Sequence, residues 1–131
     1  MNIAAYVEIL RIDYWFKNIF MLPGMILAVY MYPETSVVEN GLLLVCLIAT
    51  CLAASANYVI NECFDANYDR YHSTKNTRPC VTGEIKGRGI AILYTLLIAI
   101  SLGLAWTISF FFMQVIFVFL LAGAAYNIPP V

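Results

Sequence analysis

Two long stretches of the chain carry no charged residue. One covers residues 41–60, and the other runs from residue 89 to residue 131. A helix needs about 20 apolar residues to cross a bilayer core, so the first stretch is one span. The second would extend to about 65 Å as a single helix, twice what a bilayer core needs. It must therefore turn once. The best place is residues 105–109, where Trp106 suits the interface and Thr107 and Ser109 tolerate a turn. A less clean span precedes both. It covers residues 15–32, with Lys17 and Asn18 near its start and Pro23-Gly24 as a kink. The pattern predicts an all-α integral membrane protein with four spans, at about 15–32, 41–62, 89–105 and 109–126. One domain holds them all, and the polar loop 63–88 joins the second and third.

Composition agrees. The chain is 63% hydrophobic and 11% charged, roughly half the charge of a soluble domain. The apolar run begins too late, and lacks the small-residue site, for a cleaved signal peptide. The net charge of −1 says little. Charge placement says more. Arg11 and Lys17 precede or begin the first span, and Arg70, Lys75, Arg78, Lys86 and Arg88 lie between spans two and three. The other two connections have no basic residue. The positive-inside rule then puts the N-terminus, the 63–88 loop and residues 126–131 in the cytoplasm, in a cell membrane of the bacterial or archaeal kind. Ile3, Tyr6, Val7 and Leu10 suit a segment lying along the interface. The four cysteines, Cys46, Cys51, Cys63 and Cys80, make no C-x-x-C pair and read as small apolar residues.

The polar chemistry is concentrated in residues 61–79. Span two has small residues at 53–56, which suit close helix packing. Beyond them come Asn57, Asn61, Asp65 and Asp69. Each step of four residues turns a helix by about 40°, so the four side chains share a face and drift by about 120° in all. Glu62 lies beside that face. Like charges four residues apart repel. A divalent cation would offset this, and magnesium is usually held by one or two carboxylates with substrate phosphates. A solvated, incidentally acidic helix end is the alternative. Arg70, His72, Lys75 and Arg78 follow at once, and cations of this kind meet phosphate oxygens. An EF-hand is excluded, because Arg70 stands where the loop needs glycine and Asn76 where it needs glutamate. The basic residues are too few, and too closely tied to a membrane face, for nucleic acid.

Asn61, Glu62, Asp65, Asp69, Lys75, Arg78-Pro79 and Gly83 resemble the first aspartate-rich motif of the UbiA-type intramembrane prenyltransferases, N-D-x-x-D-x-x-x-D followed by a basic loop, R-P and glycine. Arg70-x-His72-x-x-Lys75-x-x-Arg78-Pro79, with the stretch from Arg11 to Asn18, is similar to the branch containing decaprenyl-phosphate phosphoribosyltransferase. Glu62, Ser73 and Ile12 depart from those patterns, standing where aspartate, proline and proline are usual. The resemblance implies the N-terminal part of a nine-helix bundle, truncated before a second aspartate motif. It implies Mg2+ held by Asn61, Glu62, Asp65 and Asp69, with Asp65 and Asp69 as the catalytic pair. Lys75 and Arg78 would bind phosphate, joined by Arg70, His72, Lys17 and Asn18. Asn57 more naturally bridges helices, and Gly83 makes a turn. The implied substrates are a polyprenyl (di)phosphate lipid together with phosphoribosyl diphosphate or an aromatic or other acceptor. Oligomeric state stays open. A non-catalytic four-span membrane protein, such as a transporter half or a scaffold, is the reading of another class.

Overall fold

Helices form where the apolar runs allow backbone groups to be satisfied internally, as a bilayer demands. The computed structural model describes residues 2–33 and 41–127. Among the described residues there are helices and turns and no strand. A short helix α1 (Ile3–Ile9) leads into a 3-10 stretch (Ile12–Met21) and helix α2 (Leu22–Met31). Helix α3 (Leu42–Asp69) is followed by the polar loop, the single turn α4 (Pro79–Thr82), and helices α5 (Gly87–Ile108) and α6 (Phe110–Tyr126). Residues 34–40 of the connection expected outside the cytoplasm, and residues 128–131 of the expected cytoplasmic end, lie outside the described residues.

Among the described residues two helices, α3 and α5, are long and apolar enough to cross a membrane, and the 17-residue α6 is shorter. At 28 residues, α3 is about 42 Å long at 1.5 Å per residue. A hydrocarbon core is about 30 Å thick, so roughly two turns of α3 extend past it. Pro23 falls in the first turn of α2, where its missing N–H costs no hydrogen bond. It marks a junction between 3-10 and α geometry instead of a kink within one helix. The turn between α5 and α6 is a single extended residue, Ser109, whose hydroxyl accepts a hydrogen bond from the Phe112 N–H at 3.0 Å. That cap satisfies one of the free donors of the new helix. Thr107 stays inside α5, its hydroxyl bonded to the Leu104 carbonyl at 2.7 Å.

Helix α3 is the hub, in contact with α1, the 3-10 stretch, α4, α5 and α6. Its inner face is made of small residues: Ala49, Ala53 and Ala56 are fully buried. Leu97, Ser101 and Ala105 of α5 and Ile116 and Leu120 of α6 are buried with them. Ser101 Oγ donates to the Ala49 carbonyl at 2.9 Å, which requires the two backbones to run close together. Large apolar side chains face outward instead. Ile92, Leu96 and Ile100 form an exposed stripe on α5, and Phe111, Val115 and Val118 are exposed on α6. Such a surface suits lipid and would be a liability in water.

The 3-10 stretch runs antiparallel to α3 and is stitched to it by side chains. Trp15 Nε1 donates to Ser55 Oγ at 2.9 Å, and Asn18 Nδ2 to Cys51 Sγ at 3.2 Å. Three residues make one turn of a 3-10 helix, and four make about one turn of an α-helix. Positions 15 and 18 therefore face positions 55 and 51 in step. Farther along α3, Asn57 packs on Gly123 of α6 and donates to the Phe119 carbonyl at 3.4 Å. A Cβ at Gly123 would run into the Asn57 amide. Gly123→Ala should lower stability in detergent by about 1–3 kcal/mol, the usual cost of overpacking. Asn57→Ala in the same chain should restore much of it by making room, as a thermal-unfolding double-mutant cycle would measure. Equal unfolding of wild type and Gly123→Ala would refute this α3–α6 contact.

Candidate functional site

The site is built where α3 leaves the bundle and the chain on either side folds back on it. Ala5 and Ile9 of α1 are buried against the core cluster. Ser55 Oγ donates to the Leu10 carbonyl at 2.7 Å while accepting from Trp15. These contacts fix the chain on both sides of Arg11, whose backbone is left-handed at φ 52° and ψ 44°. Such a conformation is uncommon outside glycine and costs on the order of 1 kcal/mol. It ends α1 and aims the guanidinium at α3, where it meets Glu62 at 3.2 Å. Glu62 is 2% exposed. A carboxylate so buried needs a cation and hydrogen bonds, and its other oxygen accepts from the Cys80 N–H at 3.4 Å.

One face on, Asn61 Nδ2 donates to Asp65 Oδ2 at 3.1 Å and to Asn127 Oδ1, beyond the end of α6, at 2.6 Å. Both bonds use the amide nitrogen, leaving its oxygen free of them. Asp69, 4% exposed, closes the helix. Arg78 forms a short ion pair with it through one oxygen, and Lys75 Nζ lies 3.4 Å from the other. Asp65 is the carboxylate of this cluster with no ion pair among the described residues. Pro79 begins α4 and Gly83 ends it in a left-handed conformation at φ 75°, so the Arg78-Pro79 turn is held against α3. There the Cys80 sulfur lies 2.7 Å from that of Cys63. The hydrogen bond to Cys63, reinforced by burial, holds the Cys80 thiol well above its ordinary range.

Two cavities meet at Asn61 and Tyr58. One, of about 120 Å³, is lined by Arg11, Tyr14, Tyr58, Asn61, Glu62 and Arg78. The other, of about 220 Å³, is lined by Asn57, Tyr58, Asn61, Gly123, Tyr126 and Asn127. A third, apolar cavity of about 290 Å³ lies between α2, α3 and α6, bordered by Met25, Val29, Leu43, Cys46 and Phe112. Cys46 and Asn61 are fifteen residues apart on α3, about 22 Å along its axis. The polar and apolar cavities therefore occupy opposite ends of the same helix.

Asn61, Asp65, Asp69, Lys75 and Arg78 are thus brought together in one cluster, and Glu62 stands behind them with its charge taken up by Arg11. Lys17 sits over the Tyr14 ring, its Nζ 4.1 Å from the centroid, two 3-10 turns from Arg11. Asn18 turns into the helix interface instead, toward Cys51. Arg70 and His72 are exposed on the loop, and His72 Nδ1 pairs with the Thr74 hydroxyl at 3.1 Å. Asn57 bridges α3 to α6, with its Oδ1 buried and unpaired. Five further polar side chains line these cavities: Arg11, Tyr14, Tyr58, Tyr126 and Asn127. The stretch from Arg11 to Asn18 carried a signal for the first two. Tyr58 lies one residue past Asn57, beside the polar stripe, and Asn127 is the first polar residue after a long apolar run.

The chain belongs to the UbiA prenyltransferase family, whose model matches residues 19–130, a family of membrane proteins. It is 30% identical over 112 residues to decaprenyl-phosphate phosphoribosyltransferase of Mycolicibacterium smegmatis, covering 82% of this chain and 34% of that protein. It is 28% identical over 127 residues to the protein of that name from Mycobacterium tuberculosis strain H37Rv, covering 95% of this chain and 41% of the relative. Similarity extends to 4-hydroxybenzoate octaprenyltransferase of Aeromonas hydrophila, 30% identical over 105 residues, covering 80% of this chain and 36% of that enzyme. The chain thus spans about a third to two-fifths of the length of these relatives. No solved structure matches.

The buried Arg11–Glu62 pair makes a stability prediction. Arg11→Ala leaves a buried carboxylate without its cation and should destabilise the protein by up to about 3–5 kcal/mol. Arg11→Ala with Glu62→Gln should recover a substantial part of that loss in the same unfolding measurement. A single Arg11→Ala variant as stable as wild type would show that the pair does not hold the turn.

Proposed function

We propose that this chain carries the first aspartate-rich half of a Mg2+-dependent membrane transferase that acts on a diphosphate substrate and a polyprenyl lipid. The observation that carries this reading is the cluster of Asn61, Asp65, Asp69, Lys75 and Arg78 at the end of α3. It combines oxygen donors with phosphate-binding cations at the mouth of an apolar bundle. In the full protein the four apolar segments would span the membrane, with the N-terminus, the polar loop and the end of α6 on the cytoplasmic side of a bacterial or archaeal cell membrane.

The donor set suits magnesium, which needs few protein oxygens when phosphates and waters supply the rest. Asp65 has no cationic partner among the described residues, the Asn61 oxygen is not used in its own hydrogen bonds, and Asp69 follows one turn later. These three would hold the ion, and Glu62 would support them by keeping Arg11 and the Cys80 N–H in place. No group of three His, Cys, Asp or Glu residues converges among the described residues, so substrate oxygens have to complete such a site. Bound there, the ion would supply positive charge against the departing diphosphate. The chain's own residues act by position. Lys75 and Arg78 lie within a side chain's swing of phosphate oxygens brought to Asp69, and Arg11 adds a second guanidinium across the small cavity. Tyr58 and the amides of Asn57 and Asn127 offer hydrogen-bonding groups on the α6 side.

Phosphoribosyl transfer to a polyprenyl phosphate is the first choice. His72, Lys75 and Arg78-Pro79 recur at the spacing of that branch, and Lys17 lies two 3-10 turns from Arg11. A sugar donor also suits the amide-lined cavity beside Asn61. Prenyl transfer to an aromatic acceptor is the second choice, supported by similarity to the octaprenyltransferases.

The full-length membrane protein should convert phosphoribosyl diphosphate and decaprenyl phosphate only when Mg2+ is present. Asp65→Asn with Asp69→Asn should abolish that turnover, and Asp65→Asn alone, which breaks no ion pair among the described residues, should keep the folded yield in membranes. Full activity in this double variant would sink the site assignment. Turnover of polyprenyl diphosphate with 4-hydroxybenzoate, and none with phosphoribosyl diphosphate, would select the second choice.

A further inference from the structure

The pair Cys63 and Cys80 takes no part in the metal and phosphate chemistry, yet it sits in the middle of it. Cys63 follows Glu62 on α3, and Cys80 follows Arg78-Pro79 in α4. Their sulfurs are 2.7 Å apart. A disulfide bond is about 2.05 Å long, so closing the gap takes less than an ångström of movement. Both residues are partly exposed. Cys63 also borders an apolar cavity of about 330 Å³ between α3 and α5. Cys46 and Cys51 differ: both are buried, and Cys51 accepts a hydrogen bond from Asn18.

We propose that Cys63 and Cys80 are a reversible dithiol–disulfide pair that ties the Arg78-Pro79 turn to α3. The oxidant is a low-molecular-weight disulfide, R–S–S–R. One protein sulfur attacks it, forming a mixed disulfide and releasing R–SH. The second protein sulfur displaces the remaining R–S group, which leaves as another R–SH with the second proton. Two electrons pass from the protein sulfurs to the reagent. A reducing cytoplasm keeps such a pair open, so the bond reports a shift in thiol balance and is no permanent staple.

The ring closed by this bond contains Asp65, Asp69, Lys75 and Arg78. The Cys80 N–H already donates to Glu62, so the cross-link forms without pulling the loop away from the helix. It holds Arg78 on Asp69. Under the transferase reading, on which this consequence alone rests, the oxidised protein turns over several-fold more slowly, because the carboxylate and the guanidinium stay committed to each other.

The test uses the full chain in detergent with oxidised glutathione, followed by proteolysis without reduction and mass spectrometry. The expected product is a peptide pair joined through Cys63 and Cys80, which dithiothreitol separates. Cys63→Ser and Cys80→Ser should each carry glutathione on the remaining partner instead. Wild-type protein that shows only free thiols, or only stable glutathione adducts at these positions, would overturn the proposal. The peptide readout needs no turnover, so it stands or falls apart from the transferase reading. In the activity assay, oxidised glutathione should slow wild type and spare the double variant Cys63→Ser with Cys80→Ser. Cross-linked wild type with unchanged turnover would overturn the link to activity.

Discussion

The close approach of α3 to its neighbours sets the position of everything else. It depends on Ala49, Ala53 and Ala56, which present almost no side chain at the contact. In lipid there is no gain from gathering apolar groups, so helix association rests on packing and on hydrogen bonds across the contact. Small residues supply the first, and Ser101 to the Ala49 carbonyl supplies the second. With α5 and α6 held this way, Asn127 arrives beside Asn61 and Gly123 beside Asn57. On the other flank, Ser55 holds Leu10 and Trp15, which fixes Arg11. The polar site is thus a by-product of packing that takes place deeper in the bundle.

Electrostatics at the site are arranged by pairing. Glu62 and Asp69 are nearly sealed from solvent, and each meets a guanidinium: Arg11 in one case, Arg78 in the other. A buried carboxylate without such a partner would be costly. Asp65 lies between these two pairs on the helix and, among the described residues, is held by the Asn61 amide. Three acidic residues in close sequence therefore have different electrostatic surroundings.

Much of this was legible in the sequence. The charge-free runs marked α3, α5 and α6, and the four-residue steps from Asn57 to Asp69 placed those residues along one helix end. The company of Lys75 and Arg78 followed from their nearness in the chain. What could not be read depends on distant partners. The 3-10 geometry of residues 12–21 leaves no mark in hydropathy, because periods of three and of nearly four look alike over ten residues. Pro23 read as a kink, since only the change of helix type reveals it as a first-turn residue. Arg11 could be seen as part of a motif but not as the partner of Glu62, fifty-one residues away. The contact between Cys63 and Cys80 was hidden for the same reason, as their spacing matches no C-x-x-C pattern.

Helix α3 is unbroken from Leu42 to Asp69, so its buried core and its polar end share one rotational phase. A single residue inserted between Ala56 and Asn61 would turn every site side chain by about 100° relative to the alanine stripe. Asp65 and Asp69 would then point away from α6 and the Arg78 turn while the core stayed intact. The length of this segment is therefore fixed by angle as much as by membrane thickness. Its lipid-facing residues need only stay apolar, but the helix can add or lose length here only in steps that bring it back to nearly the same angle.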